Sequence, residues 1–325
     1  MSAVEAATAF ATDLAHEMAA LMARMAAEDG PQPDPTLLPP ADGRRVAEEG
    51  NRRWNVEMPA MARVETAVVP ADAVLGSADT RLLVLVPPDA KAGAILFVHG
   101  GGFAFCSPES HERCARVLAA ETGLPVILPD YRLAPEHPYP AGLLDVVGAW
   151  RSAFAATARF GLRPGPLVLA GDSAGAGLCV SAMLHEAGRL RADVALLFYG
   201  VYAADFATPS YRVFADGPGL TRAKMQRYWS FYLADKAARR TPLVSPLLAE
   251  DAALAALPPL HLMAAGVDPL LSDTLNFEAR LAALGRTERT TIVPGVVHGF
   301  LQMSNELPQA REALGRAADF VRSLY

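Results

Sequence analysis

The 325-residue chain is poor in the features that mark several large classes of protein, and each shortage excludes one. It holds three cysteines, Cys106, Cys114 and Cys179, an odd number without C-x-x-C spacing. Neither a disulfide framework nor a thiolate metal site is expected from them, and the setting they suggest is reducing and cytoplasmic. A basic excess is missing: 29 Lys and Arg against 35 Asp and Glu leave a formal charge of −6, which offers no footprint for nucleic acid or an anionic membrane surface. Although 52 % of the residues are hydrophobic, no uninterrupted apolar run reaches the roughly 18 residues that a membrane span requires. There is no G-x-x-x-x-G-K-[ST] or G-x-G-x-x-G pattern for phosphate, and no His, Glu and Cys cluster at metal-ligand spacing. The expected partner is a neutral small molecule, handled without cofactor or metal.

What the chain does contain is the strand-like run Leu167-Val168-Leu169-Ala170, then Gly171-Asp172-Ser173-Ala174-Gly175, then a helix-like stretch. A serine at so sharp a strand-to-helix turn takes a strained conformation that lifts its hydroxyl clear of the sheet, and only very small residues two positions either side leave room. The following helix offers free N–H groups and the positive end of its dipole where negative charge develops in acyl transfer. Alone the pattern is weak, since an ordinary glycine-rich turn produces it too. A second signal lies upstream, where strand-like Ala94-Ile95-Leu96-Phe97-Val98 runs into His99-Gly100-Gly101-Gly102-Phe103. Three consecutive glycines expose backbone N–H groups as an oxyanion hole requires.

From about Val64 the pattern is strand alternating with helix, which predicts an α/β sheet. The predicted strands are Val64–Val69, Arg81–Val86, Ala94–His99, Pro125–Pro129, Leu167–Ala170, Val194–Tyr199, Leu260–Ala265 and Thr290–Val293. Both motifs fall at carboxyl ends of strands, where open α/β sheets place their sites. Before the sheet, a Pro-rich break from Gly30 to Pro40 separates two predicted helices. The first carries an apolar face of Val4, Phe10, Leu14, Met18, Leu21, Met22 and Met25; the second runs from about Ala41 to Trp54. No Lys or Arg precedes Arg24, and Glu5, Asp13 and Glu17 interrupt the apolar character, so this segment reads as a helix and not as a targeting signal. Between Tyr202 and Arg240 the alternation lapses into aromatic-rich helical sequence with Met225, Tyr228, Trp229, Phe231 and Tyr232.

With these residues in place, the chain resembles the hormone-sensitive-lipase-like esterases of the α/β-hydrolase fold, also called bacterial family IV. The resemblance rests on His99-Gly100-Gly101-Gly102, on Asp130-Tyr131-Arg132-Leu133-Ala134-Pro135-Glu136-His137-Pro138-Tyr139-Pro140, on Gly171 to Gly175, on Asp268-Pro269-Leu270 and on His298-Gly299-Phe300. They occur in that family's order and cover nearly the whole chain, with the first 60 or so residues matching least specifically. The stretch from Leu197-Phe198-Tyr199-Gly200 through Ser245-Pro246-Leu247 to Asp268-Pro269-Leu270-Leu271 is similar to the bacterial acetyl esterases. The resemblance implies a mostly parallel eight-stranded sheet flanked by helices, in an α/β-hydrolase catalytic domain over 61–325. It also implies a helical cap, with one segment at 1–60 and a second at 202–240.

A serine hydroxyl is a poor nucleophile until a base takes its proton. Of the seven histidines, His16, His111 and His185 fall in helical stretches and His261 in a strand pattern, while His99 and His137 look like braces for their loops. His298 follows Gly295-Val296-Val297 in a turn near the C-terminus and matches the family's catalytic base. The imidazole needs a carboxylate to orient it, and Asp268, just past the strand Leu260–Ala265, gives the chain order Ser, Asp, His of α/β-hydrolases. Asp273 is the competitor: many relatives carry another acid four residues after the catalytic aspartate, where this chain has Ser272. Asp130 and Asp172 read as structural.

The expectation is a serine carboxylesterase for short acyl groups, acetyl included, acting on a small-molecule ester with no cofactor. Ser173 is the nucleophile, His298 the base, Asp268 its orienting acid, and the N–H groups of Gly101, Gly102 and Ala174 the oxyanion donors. An amidase or carbamate hydrolase would use the same triad, and a non-catalytic small-molecule receptor can be built on the same fold. Leaving-group preference, the physiological ester and the oligomeric state, a homodimer included, stay open.

Overall fold

The strands at the middle of this chain are short and almost wholly apolar, a composition that needs cover on both faces. The computed structural model, which describes residues 10–156 and 161–323, provides that cover. Eight strands, β1 (Arg63–Val69), β2 (Thr80–Val86), β3 (Ala94–Val98), β4 (Val126–Asp130), β5 (Leu167–Asp172), β6 (Val194–Phe198), β7 (Leu260–Val267) and β8 (Thr290–Val297), form one sheet. Their order is β1-β2-β4-β3-β5-β6-β7-β8. The pairs β1–β2 and β2–β4 are antiparallel and all others are parallel.

Ten α-helices accompany the sheet among the described residues: α1 (His16–Asp29), α2 (Pro40–Asn51), α3 (Glu112–Thr122), α4 (Ala141–Ala156), α5 (Ala174–His185), α6 (Pro209–Val213), α7 (Arg222–Tyr232), α8 (Asp251–Ala255), α9 (Leu271–Ala283) and α10 (Pro308–Arg322). Side chains alternate across each strand, so one sequence feeds two cores. Leu82, Val84, Leu96, Leu169 and Leu197 meet Val146, Trp150 and Phe277 on one face. Leu83, Leu85, Ile95, Phe97, Val168 and Leu196 meet Leu118, Leu314 and Val321 on the other. No helix among the described residues is long and apolar enough to cross a membrane.

The eight predicted strands are all present, and the differences in their ends are informative. The last predicted strand, Thr290–Val293, is shorter than the one in the sheet. In the sheet β8 continues to Val297, because it is an edge strand paired only with β7, where a proline costs no ladder hydrogen bond. A register shift between Ala265 and Val267 absorbs the irregularity. His298 therefore leaves a strand end directly and not a flexible turn. Likewise β5 runs to Asp172, so Ser173 is the first residue past its strand.

The two N-terminal helices sit in different places. Residues 1–9, including Val4 and Glu5 of the predicted first helix, lie outside the described residues. The Ala15 N–H donates to the Gly295 carbonyl at 2.9 Å, which seats α1 on β8. Met18 and Leu21 are buried in the core shared with α10, and Gln309 on α10 donates to Glu17 at 3.0 Å. Helix α2 lies instead over the loops at the carboxyl edge of the sheet, where Arg44 donates to the carbonyls of Ala104 and Ala134, both at 2.8 Å, and pairs with Glu136. Helix α7 stacks on the same loops: the Tyr232 ring lies 3.9 Å from that of Phe103 at 10°, and Trp229 meets Phe103 edge-on at 5.6 Å.

If α1 is part of the core, truncating its fully buried anchor must cost what a core truncation costs. Met18→Ala is expected to lower the free energy of unfolding by about 2–5 kcal/mol in urea titration. A loss below about 1 kcal/mol would mean that α1 is not docked as described.

Candidate active site

Ser173 occupies the corner between β5 and α5 with φ 53° and ψ −122°, a left-handed conformation that an L residue adopts only under constraint. Three hydrogen bonds hold it: its N–H donates to the Phe198 carbonyl at 2.9 Å, and its carbonyl accepts from Gly177 at 3.3 Å and Val201 at 3.1 Å. The flanking glycines are required by space. A Cβ on Gly175 would stand 2.0 Å from the Val98 carbonyl oxygen, and one on Gly171 would stand 2.6 Å from the Gly175 backbone. Although Ser173 immediately precedes α5, its side chain does not cap the helix. The hydroxyl is turned the other way.

It points at His298, whose Nε2 lies 2.8 Å from Ser173 Oγ. The opposite ring nitrogen, Nδ1, lies 2.7 Å from Asp268 Oδ2. A carboxylate only accepts, so this contact places the proton on Nδ1 and leaves Nε2 to accept from the serine. Asp268 is fully buried at the end of β7, and its other oxygen accepts the Leu270 N–H at 2.8 Å. The Tyr199 ring, itself held at φ 39°, meets the His298 ring edge-on at 4.8 Å. Residues from three strand ends, far apart in sequence, thus form one hydrogen-bonded line.

The glycine loop approaches from β3. Gly101 (φ 113°) and Gly102 (φ 60°) adopt conformations that disfavour any side chain. A Cβ on Gly101 would meet the Phe105 carbonyl oxygen at 2.1 Å, and one on Gly102 the Tyr228 ring at 2.3 Å. Among the described residues, neither of these N–H groups has an acceptor. The N–H of Ala174, first residue of α5, likewise has no intrahelical partner. His99 braces the loop as a neutral imidazole: burial pushes its pKa down to about 3. Its ring stacks on Tyr131 at 4.3 Å and bonds the Gly100 carbonyl at 2.7 Å.

Asp172 ties the loop to the serine corner. Its Oδ1 accepts the Gly100 N–H at 2.8 Å and lies 3.2 Å from His111 Nε2, while His111 Nδ1 lies 2.9 Å from Ser110 Oγ. Burial opposes its ionisation, but the His111 contact and the Gly100 N–H hold the carboxyl below its ordinary value. Asp130 instead pairs with Arg81.

A cavity of about 250 Å³ opens beside Ser173 and His298 and includes Gly101 and Gly102. Trp54 and Asn51 reach it from the N-terminal segment, Leu220, Met225 and Tyr228 from the 202–240 stretch, and Cys106, His111, Gln302 and Met303 complete it. Asn51, His111 and Gln302 were not singled out as site residues by sequence reasoning. His111 sits inside a helical pattern, and no motif marks the other two. Among the described residues no cluster of His, Cys, Asp and Glu is arranged to hold a metal ion.

Residues 95–302 match the model of a family described as having the α/β hydrolase fold. The carboxylesterase NlhH of Mycobacterium tuberculosis is 32 % identical over 289 residues, covering 87 % of this chain and 90 % of that protein. Among solved structures, a thermostable esterase from Pseudomonas putida superposes with a TM-score of 0.87 at 26 % identity, over 95 % of this chain and 96 % of that one. LAE6, an α/β-hydrolase enzyme from the metagenome of Lake Arreo, superposes with a TM-score of 0.85 at 30 % identity over 94 % and 96 %. The chain belongs to the α/β-hydrolase fold family. It is a carboxylesterase-type member of the hormone-sensitive-lipase-like branch.

The competing acid of this hydrolase has a different position. Asp273 lies in the first turn of α9, and its Oδ1 accepts the N–H groups of Tyr202 at 3.2 Å and Ala203 at 3.3 Å. Among the described residues it makes no bond to His298. Ser272 exchanges hydrogen bonds with Ser210 at 3.0 and 3.1 Å, joining the start of α9 to that of α6. Burial, with the Asp268 charge adding to it, raises the Asp273 carboxyl well above the ordinary value. A carboxyl raised on folding weakens the folded state as pH rises from its unfolded pKa of about 4 towards the folded one. Asp273→Asn keeps the accepting oxygen and removes the charge. It is expected to leave kcat within about threefold and to melt at or above the wild-type temperature at pH 8, with the wild type recovering ground as the pH falls towards 4. A kcat loss equal to that of Asp268→Asn would reverse the assignment of the two acids.

Proposed function

We propose that this protein hydrolyses small carboxylic esters of short acyl chains through an acyl-enzyme on Ser173. The observation that carries the reading is the unbroken line from Ser173 Oγ through the His298 ring to Asp268. His298 Nε2 takes the hydroxyl proton as Oγ attacks the acyl carbon, and Asp268 offsets the charge that appears on the ring. The negative charge on the former carbonyl oxygen falls to the N–H groups of Gly101, Gly102 and Ala174, with the N-terminus of α5 adding its dipole. Collapse of the intermediate returns the proton from His298 to the leaving alcohol. Water, deprotonated in turn by His298, then releases the acid and regenerates the serine.

The Cys106 thiol at the same cavity does not compete as nucleophile, because burial, reinforced by the Glu48 carboxylate, pushes its pKa up to about 12. The walls support the short-chain reading. The segments 1–60 and 202–240 are read as a cap, to which α2, Trp54 and α7 contribute over the site while α1 anchors the segment to β8. Tyr228 stands against Gly102, and Trp229 and Tyr232 are fixed on Phe103, so this side is filled with packed aromatic rings. A methylene that fits gains about 1–3 kcal/mol, and one that must displace such rings loses a similar amount.

Ser173→Ala is expected to lower kcat about 10⁴-fold or more with the fold intact by circular dichroism, and Asp268→Asn to be somewhat milder. Along a 4-nitrophenyl ester series from acetate to palmitate, kcat/KM is expected to be highest from acetate to butyrate and to fall steeply past octanoate. An optimum at laurate or longer would contradict the short-acyl reading, and faster turnover of acetanilides than of matched acetate esters would make the protein an amidase.

A further inference from the structure

The buried polar groups beside the serine corner fix the protons on His111. Ser110 Oγ accepts the Ser107 N–H at 3.0 Å and lies 2.8 Å from the Ser107 carbonyl oxygen and 2.9 Å from His111 Nδ1. A carbonyl only accepts, so the single Ser110 proton goes to it, and the contact with Nδ1 takes its proton from the ring. The other ring nitrogen, Nε2, faces Asp172 Oδ1 at 3.2 Å, an oxygen that also accepts the Gly100 N–H at 2.8 Å. Although burial opposes it, the His111 ring and the Gly100 N–H hold the Asp172 carboxyl below its ordinary value, so Nε2 donates as well. With both nitrogens donating, His111 is an imidazolium, paired with a carboxylate where the two residues are 3 % and 4 % exposed. Such a pair is a poor source of stability, because desolvating two charges offsets most of their attraction. Its place in the fold gives it another use. Asp172 immediately precedes Ser173 and Gly100 immediately precedes Gly101, so one carboxylate sets the spacing of nucleophile and glycine loop. Without a counter-ion that carboxylate would oppose the negative charge developing on the substrate oxygen, and it would favour the charged form of His298, with which it interacts.

We infer that His111 is a positioning residue: its ring, donating from both nitrogens, holds the Asp172 carboxylate on the Gly100 N–H and cancels that charge beside the oxyanion donors and His298. The inference rests on the ester-hydrolase reading above. Other ionisable groups also face His111. His99, just past β3, has its ring 5.5 Å away and is neutral; Glu48 reaches towards it from α2, and Glu109 belongs to the same turn and pairs with Arg81. Burial keeps the Cys106 and Cys114 thiols protonated. Among the described residues, Asp172 is the one carboxylate in direct contact with the ring.

The experiment measures kcat and KM for 4-nitrophenyl acetate across the pH range in the wild type, in His111→Gln and in the double variant His111→Gln/Asp172→Asn. Glutamine keeps one neutral donor for Asp172 and removes the charge, and asparagine keeps an oxygen to accept from Gly100. In His111→Gln the plateau kcat is expected to fall about tenfold with KM within about threefold, because the loss falls on the transition state. The acid limb of kcat/KM reports protonation of His298 in the free enzyme. Removing the His111 cation leaves Asp172 to stabilise the imidazolium form of His298, so that limb is expected to move to higher pH, by about half a unit or more. The double variant is uncharged at both positions and is expected to return the limb to its wild-type place and to recover most of kcat. A residue that only fills space would change the amount of active protein and leave the limb where it was. His111→Asn, which keeps a neutral donor towards Ser110, provides a second replacement should the glutamine variant be insoluble. An unmoved limb in the folded single variant, or a double variant as slow and as shifted as the single one, would overturn the inference. Failure of the wild type to hydrolyse 4-nitrophenyl acetate would instead overturn the ester-hydrolase reading, and this inference with it.

Discussion

The site depends on one backbone constraint, the left-handed conformation of Ser173 between β5 and α5. It is maintained by close contact and not by local preference: Gly175 lies so near the Val98 and His99 carbonyls, and Gly171 so near Gly175, that no side chain fits at either position. Because β3 and β5 are paired in parallel, the contact that fixes the serine also fixes the start of the glycine loop. The proposed nucleophile and oxyanion donors are therefore set by the same few backbone atoms. Preorganisation of this kind is what lets fixed dipoles stabilise a developing charge without reorganising.

A small number of buried polar groups carry that arrangement outward. Asp172 belongs to the serine corner yet accepts from Gly100 in the glycine loop and contacts His111 at the start of α3, so three segments meet on one carboxylate. Asp273 joins two, tying α9 to the stretch after β6 through the N–H groups of Tyr202 and Ala203. These two acids differ in electrostatics. The His111 contact and the Gly100 N–H favour the charged form of Asp172, whereas burial and the Asp268 charge disfavour that of Asp273. Only Asp268 has both the burial and the direct contact with His298 that an orienting acid needs.

Much of this was legible in the sequence because it is enforced by local sterics. The glycines of the serine corner and of the 100–102 loop cannot be replaced without collision, and the apolar runs of β3 to β7 follow from burial on both faces. Less legible were features that depend on which element becomes a neighbour. How far β8 runs past Val293 depends on its place at the sheet edge, and His111 reads as a helical residue until α3 is known to begin beside Asp172. The N-terminal helices look alike as amphipathic segments, yet one is held on β8 through Ala15 and the other reaches the site through Asn51 and Trp54.

The central claim is that Ser173 is a nucleophile activated through His298. The most direct measurement is covalent capture: the protein is treated with a small fluorophosphonate, digested, and the modified peptide sequenced by mass spectrometry. One adduct per chain is expected, on Ser173, formed rapidly in the wild type and in Asp273→Asn and suppressed in His298→Ala. An adduct on another residue, no adduct in folded wild-type protein, or labelling of Ser173 at an undiminished rate without His298 would contradict it.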